Sequence, residues 1–349
     1  MKTKRWTSLL LASFMMLSVF AGCGTGTQTP SGEPSAPPSD VQGESASPTN
    51  EGAKTKVNLA LLSGPTGVGA AKLLSDNEAG NTENQYDVTI AAAPDELTGK
   101  IVSGEIDIAA LSTNLAATLY QKTNGKVQLA AINTLGVLYI LENGEEIQSI
   151  ADLKGKTVYA FGQGANPEYV LRYLLEENGL KEGQDVTVEF KPNEEIVAAM
   201  ASGKAKVAML PVPAATTVLM KNESVREALD LTKEWDKTTE DSRLTMGCIV
   251  VRKEFAQQNP EAVKAFLKEY EASVHYVKEN VDEAAEMVAH FGITGSADIA
   301  KAAIPQCNLT CITGEDMRVA IQGYYEVLFA AEPSSIGGQQ PDDAFYYIP

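Results

Sequence analysis

Residues able to do nucleophilic or metal chemistry are scarce in this chain of 349 residues, which has two histidines and four cysteines. His275 and His290 fall in C-terminal stretches with helical spacing, away from the loops where a Ser nucleophile or a metal would need an imidazole. Cys307 and Cys311, four positions apart, read either as a disulfide or as separate thiols, and no neighbouring His or third Cys completes a metal set. Cys248, inside Cys248-Ile249-Val250-Val251, reads as a buried thiol. Acid–base work would fall to carboxylates such as Asp95 and Glu194. Gly64-Pro65-Thr66-Gly67-Val68-Gly69 lacks the Lys-Ser/Thr of a phosphate loop, and Gly162-Gln163-Gly164 lacks the third Gly of a dinucleotide fingerprint. No catalytic residue, metal or cofactor is therefore assigned, and the remaining hydroxyls, amides and carboxylates suit binding.

Asp95 and Glu194 hold matching places in an internal repeat. Asp95-Glu96-Leu97 with Ser103-Gly104-Glu105-Ile106-Asp107-Ile108-Ala109-Ala110-Leu111 recurs as Glu194-Glu195-Ile196 with Ser202-Gly203-Lys204-Ala205-Lys206-Val207-Ala208-Met209-Leu210. The offset is 99 positions (203 − 104), and it also lays Leu59-Ala60-Leu61-Leu62 over Val158-Tyr159-Ala160-Phe161. Two copies of one strand–loop–helix plan imply two similar lobes with a cleft between them.

Apolar runs alternate with helical spacing in both copies. The first predicts strands over 57–62, 86–91, 106–111 and 127–132, with helices after Pro65, over 94–102 and over 114–121. The second predicts strands over 157–161, 186–190 and 207–210, with helices over 167–178 and 194–202. This alternation specifies α/β architecture, two doubly wound lobes with mostly parallel sheets. Thr134–Ile140 and Thr245–Val251 look alike and are expected to be the two crossover strands and hinges. From Asn259 onward the spacing is helical, and Val263, Phe266, Leu267 and Tyr270 are expected to pack on the first lobe. The expected division is 56–138 plus 247–349 for lobe I and 139–246 for lobe II.

Lys2, Lys4 and Arg5 precede the apolar run Leu9–Phe20, a charged start and a hydrophobic stretch too short to span a membrane. Phe20-Ala21-Gly22-Cys23 resembles the bacterial lipobox, which implies a signal peptide over 1–22 and lipidation (palmitate) on Cys23. Residues 23–55 are rich in Gly, Ser, Thr, Pro and Glu and read as a flexible tether. The formal charge is −18 and becomes −21 without the three leader cations (−18 − 3). Nucleic acid and anionic lipid are disfavoured as partners. The membrane is reached through the lipid anchor alone, on the extracytoplasmic face, and a monomer is expected.

The lipobox, the tether, Asp152-Leu153-Lys154-Gly155-Lys156 before a strand, the Ser-Gly repeats and Leu210-Pro211-Val212-Pro213-Ala214-Ala215-Thr216 together carry a family likeness. The chain resembles solute-binding lipoproteins of ABC importers with the type II periplasmic-binding-protein fold, in the branch of nitrate, taurine, alkanesulfonate and thiamine-precursor binders. The resemblance implies a non-enzymatic receptor that closes on a small-molecule solute and delivers it to an ABC permease and its ATPase. A ligand-sensing partner of a membrane receptor is the alternative of another class, and a hydrolase or a pyrimidine-forming enzyme on this fold a remote one.

In open α/β sheets, ligands sit beyond the carboxyl ends of the strands. By position in the repeat the candidate ligand-binding residues are Ser63, Pro65, Thr66, Gly67, Asp95, Ser112, Thr113 and Asn114 from the first lobe. Gln163, Asn166, Glu168, Glu194 and Pro211 come from the second, with Asn133, Thr134 and Thr245 flanking the crossovers. These loops hold no Arg, Lys or His, so a neutral or cationic organic solute such as a nitrogen heterocycle is expected. A small oxyanion, nitrate or an alkanesulfonate, held by helix N-termini is the alternative.

Overall fold

Eleven strands and thirteen α-helices are present among the described residues, 54–239 and 242–349 of a computed structural model. The expected signal peptide, Cys23 and the tether up to residue 53 lie outside the described residues. The first copy of the repeat forms β1 (Lys56–Leu62), α1 (Pro65–Val68), α2 (Ala71–Glu78), β2 (Gln85–Ala91), α3 (Asp95–Ser103), β3 (Ile108–Ser112), α4 (Thr113–Lys122) and β4 (Val127–Leu135). The second forms β5 (Leu138–Glu142), β6 (Thr157–Ala160), α5 (Asn166–Glu177), β7 (Thr187–Phe190), α6 (Asn193–Ala201), β8 (Val207–Pro211), α7 (Ala214–Lys221), β9 (Arg226–Asp230) and α8 (Leu231–Asp236). The tail forms β10 (Thr245–Arg252), α9 (Lys253–Gln258), α10 (Pro260–Glu279), α11 (Val281–His290), α12 (Ala297–Ala303), β11 (Leu309–Ile312) and α13 (Gly314–Ala331).

The strands make two sheets of one design, ordered β2-β1-β3-β10-β4-β11 and β7-β6-β8-β5-β9. In each, three parallel strands are followed by an antiparallel one, β10 in the first and β5 in the second. Each of these antiparallel strands enters its sheet directly after the chain has left the other. The repeat holds at the level of pairing: Ala60 lies beside Ala109 and Leu61 beside Ala110, as Tyr159 lies beside Ala208 and Ala160 beside Met209. The 99-residue offset therefore carries over into register, where a one-residue slip would turn every side chain to the other face.

The two expected hinge strands behave differently. Thr134–Ile140 contains a crossing, because β4 ends at Leu135 in the first sheet and β5 begins at Leu138 in the second. Thr245–Val251 lies wholly within β10, so the second crossing precedes it, after α8. Ser112 pairs with Gly247 and Pro211 with Leu138, so the counterpart of Gly247 is Leu138, two positions from the Gly136 that the sequence match suggests. Gly247 answers a local need instead. A Cβ there would stand 2.5 Å from Thr66 Cγ2 and 2.6 Å from Asn133 Oδ1.

Both sheets are covered by helices, and β3, β5, β8 and β10 are buried nearly throughout, which is why they read as unbroken apolar runs. Val263, Phe266, Leu267 and Tyr270 of α10 are buried as their spacing requires. Fully burying one such side chain stabilises the fold by about 1.5–3 kcal/mol. Two charge pairs tie strand ends together. Asp107 accepts from Arg252 at 2.7 Å and from the backbone and side chain of Asn58, while Glu142 accepts from Arg226 at 2.6 Å.

Cys248, Cys307 and Cys311 are free thiols, so the disulfide reading of Cys307 and Cys311 is set aside. Cys307 closes a short 3-10 turn, Asn308 reverses the chain at φ 43°, and Cys311 sits within β11.

Candidate functional site

The carboxyl ends of β1, β3, β6 and β8 open onto one cavity of about 920 Å³ between the two sheets. The glycine turns after β1 and β6 meet there, with Gly64 and Gly162 both lining it. Gly64 has φ 87° and ψ −157°, a conformation open essentially to glycine alone, and it lets the chain pass from β1 into α1 along the cavity wall.

The candidate residues divide into three groups. Ser63, Pro65, Thr66, Ser112, Thr134, Asn166, Glu194 and Pro211 line the cavity. Most of the others hold the loops that form it. Asn133 donates to Thr66 O and to the Tyr270 hydroxyl, each at 3.0 Å, and fixes the turn after β1 from beneath. Thr113 Oγ1 donates to Thr245 O at 2.7 Å, joining the start of α4 to β10. Glu168 accepts from Gly164 N–H and from Arg172, closing the turn before α5. Gly67 is backed by Leu62 O and Ile293, and Asn114 is buried at the head of α4. Asp95 and Gln163 are exposed outside the cavity wall. Asp95 and Glu194, matched in the repeat, are therefore not brought together at the cavity, where Pro94 lines the wall in place of Asp95.

Sequence reasoning missed three contributions. Gly292, Ile293, Thr294 and Gly295, between α11 and α12, form part of the wall, and Gly64 N–H donates to Ile293 O at 3.0 Å. The Gly-x-Thr-Gly break between two helical stretches marks this segment, but the tail reads as packing when its helices alone are considered. Apolar groups, among them Phe161, Val137, Leu138, Val197, Met246 and Ile299, make up much of the surface. Lys221, the last residue of α7, also lines it, which corrects the expectation that no cation is present. The result is an apolar chamber with a few hydroxyls and amides, one carboxylate and one ammonium, a lining that suits a small organic solute.

One set of contacts crosses the cavity floor. Asn166, the first residue of α5, sends Nδ2 to Thr113 Oγ1 at 2.9 Å and to Met246 O at 3.1 Å. Asn166 is buried, and among the described residues its Oδ1 finds no partner, nor does Thr245 Oγ1. His275 and His290 lie on α10 and α11, outside the cavity wall; the His290 ring is 3.3 Å from the Glu78 carboxylate. Among the described residues, no group of three or more His, Cys, Asp or Glu is placed to hold a metal. No helix there is long and apolar enough to cross a membrane.

Comparison with known proteins agrees with this geometry. The model of the family described as NMT1/THI5 like matches residues 81–284, more than half of the chain. A Brucella abortus protein whose name assigns it binding provisionally is 26% identical over 173 residues, 50% of this chain and 52% of that protein. The chain thus spans about half the length of the curated relatives it matches. Among solved structures, an ABC transporter protein of Parabacteroides distasonis is 25% identical with a TM-score of 0.70, covering 84% of this chain and 99% of that one. The periplasmic aliphatic sulphonate binding protein of Escherichia coli shares the fold at 16% identity, with a TM-score of 0.69 over 85% of this chain and 93% of that one.

Proposed function

The chain belongs to the NMT1/THI5-like family, and from that premise we propose that it is the extracytoplasmic solute-binding receptor of an ABC importer. Its lobes are the halves built on the two sheets, which shifts the expected bounds so that Leu138 goes with the second half and Thr245 and Met246 with the first, and they close on a small organic solute. The observation that carries this reading is the placement of one chamber at the carboxyl ends of both sheets, with the two copies of the glycine turn facing into it. A solute touching both sides stabilises the closed form, and a closed form is what a permease can distinguish. Cys23 anchors the receptor to the membrane surface through lipid, the tether spans the gap to the permease and its ATPase, and the receptor works as a monomer.

The apolar lining suits a solute with a substantial apolar body, and the hydroxyls, amides and Glu194 suit one that carries hydrogen-bond donors, such as a nitrogen heterocycle. A second reading, an alkanesulfonate or nitrate, is favoured by Lys221 at the wall. A thermal-shift screen of pyrimidines, alkanesulfonates and nitrate tests both, because a ligand that binds only the folded state raises the melting temperature. Stabilisation by an aminopyrimidine supports the heterocycle. Stabilisation by sulfonates or nitrate alone transfers the assignment to the oxyanion. A tight solute whose binding leaves the scattering envelope unchanged would remove the closing-receptor reading itself.

A further inference from the structure

We propose that Asn166 is a positioning residue that latches the two halves together before any solute arrives, so that closure is poised and not simply driven by solute. This inference rests on the reading of the molecule as a closing receptor. Asn166 belongs to the helix that follows β6 in the second sheet, whereas Thr113 and Met246 belong to α4 and β10 on the first. Its amide donates both N–H groups across that division, to Thr113 Oγ1 and Met246 O. Thr113 can accept because its own proton is committed to Thr245 O at 2.7 Å. The three residues form a directed chain, Asn166 to Thr113 to Thr245, in which reversing either hydroxyl or amide would set like groups against each other.

The latch is weak by construction. Closing it makes two hydrogen bonds but buries Asn166 Oδ1, which finds no partner among the described residues, and an unpaired buried group costs as much as a bond returns. Opening gives that oxygen water. The two sides of this balance are close in size, so contacts made by a solute in the chamber above are enough to decide the state. The residue sits in the wall of that chamber, where occupancy and closure meet.

The test needs no ligand. Small-angle scattering of the dialysed protein is compared for the wild type, Asn166→Leu, Thr113→Val and the double variant, with circular dichroism as the check on folding. Asn166→Leu should raise the radius of gyration most, Thr113→Val less because the bond to Met246 O remains, and the double variant no further than Asn166→Leu, because Asn166 supplies both links. Thr113→Ser keeps the hydroxyl and should keep the wild-type dimension, which answers the case in which Thr113→Val does not fold. A lowered melting temperature at unchanged dimension in Asn166→Leu would show a merely structural role and overturn the proposal. So would equal opening in Thr113→Ser and Thr113→Val. Failure here leaves solute binding untouched, and failure of the solute screen leaves the latch untouched.

Discussion

Trp235 and Tyr324 stand with ring centroids 5.5 Å apart, and the indole also meets Tyr173 at 4.8 Å. Tyr173 lies on α5, Trp235 on α8 and Tyr324 on α13, so one buried indole joins the helix at the second sheet to the C-terminal tail. Trp6 and Trp235 are the two tryptophans of the sequence, and Trp235 alone falls among the described residues.

Trp235→Ala should lower the unfolding free energy by about 3–5 kcal/mol, since it empties a large fully buried site. Trp235→Phe should cost far less, about 1–2 kcal/mol, because the indole N–H finds no partner among the described residues and only volume and stacking are lost. Urea unfolding of the two variants checks this. Equal losses would mean that the indole N–H matters after all.

Asp107→Ala should destabilise by about 3 kcal/mol, the lower end for breaking a buried pair because the Arg252 side chain is partly exposed. It removes the acceptor for Arg252 and for both Asn58 groups at once. The double variant Asp107→Ala with Arg252→Met should recover part of the loss. Denaturant midpoints of the three proteins test the coupling.

Alkaline pH should weaken the fold. Burial pushes the Cys307 thiol up to about 12, and burial followed by the nearby Glu271 charge does the same to Cys311. In the unfolded chain these thiols ionise near their ordinary value of 9.0, so the unfolded state releases protons that the folded state retains. Their contribution is complete below pH 9 and is lost as pH rises toward 12. For Cys307 the slope is about 1.4 kcal/mol per pH unit within that window. Urea midpoints at several alkaline pH values should fall more steeply for the wild type than for Cys307→Ala.

Glu194 and Lys221 distinguish the two solute readings. If a donor-bearing organic solute fills the chamber, Glu194→Gln should weaken binding roughly tenfold and Lys221→Ala should change it less than about threefold. The opposite pattern follows for an oxyanion. Calorimetry with whichever solute raises the melting temperature reads this directly.

The parts of the fold visible in the sequence are those whose residues repeat a period. β1, β3, β6 and β8 are apolar runs, and the shared offset that marks them survives as strand register. Arg226–Asp230 was not visible as β9, because it is an edge strand whose five residues include only one that is fully buried, leaving no alternation to read. β11 is hidden for a similar reason, pairing with β4 on one side only. At the site, counting along the repeat located the loops, but it could not tell Asn166, within the wall, from Asn133, beneath it. That difference is set by packing partners such as Tyr270, which lies 137 positions away.

The insertion of β10 between β3 and β4 sets an order of events during synthesis. Residues 138–236 are contiguous and contain every strand of the second sheet, which can therefore close as soon as that stretch is available. The first sheet cannot. Until residues 245–252 are made, β3 and β4 have no neighbour to join them, and each offers an open, strongly apolar edge for more than a hundred residues of chain growth. The earliest part of the described chain is thus the last to be completed. Chaperoning during synthesis would have to protect those waiting edges, and a chain truncated before β10 would retain a finished second half attached to an aggregation-prone first half.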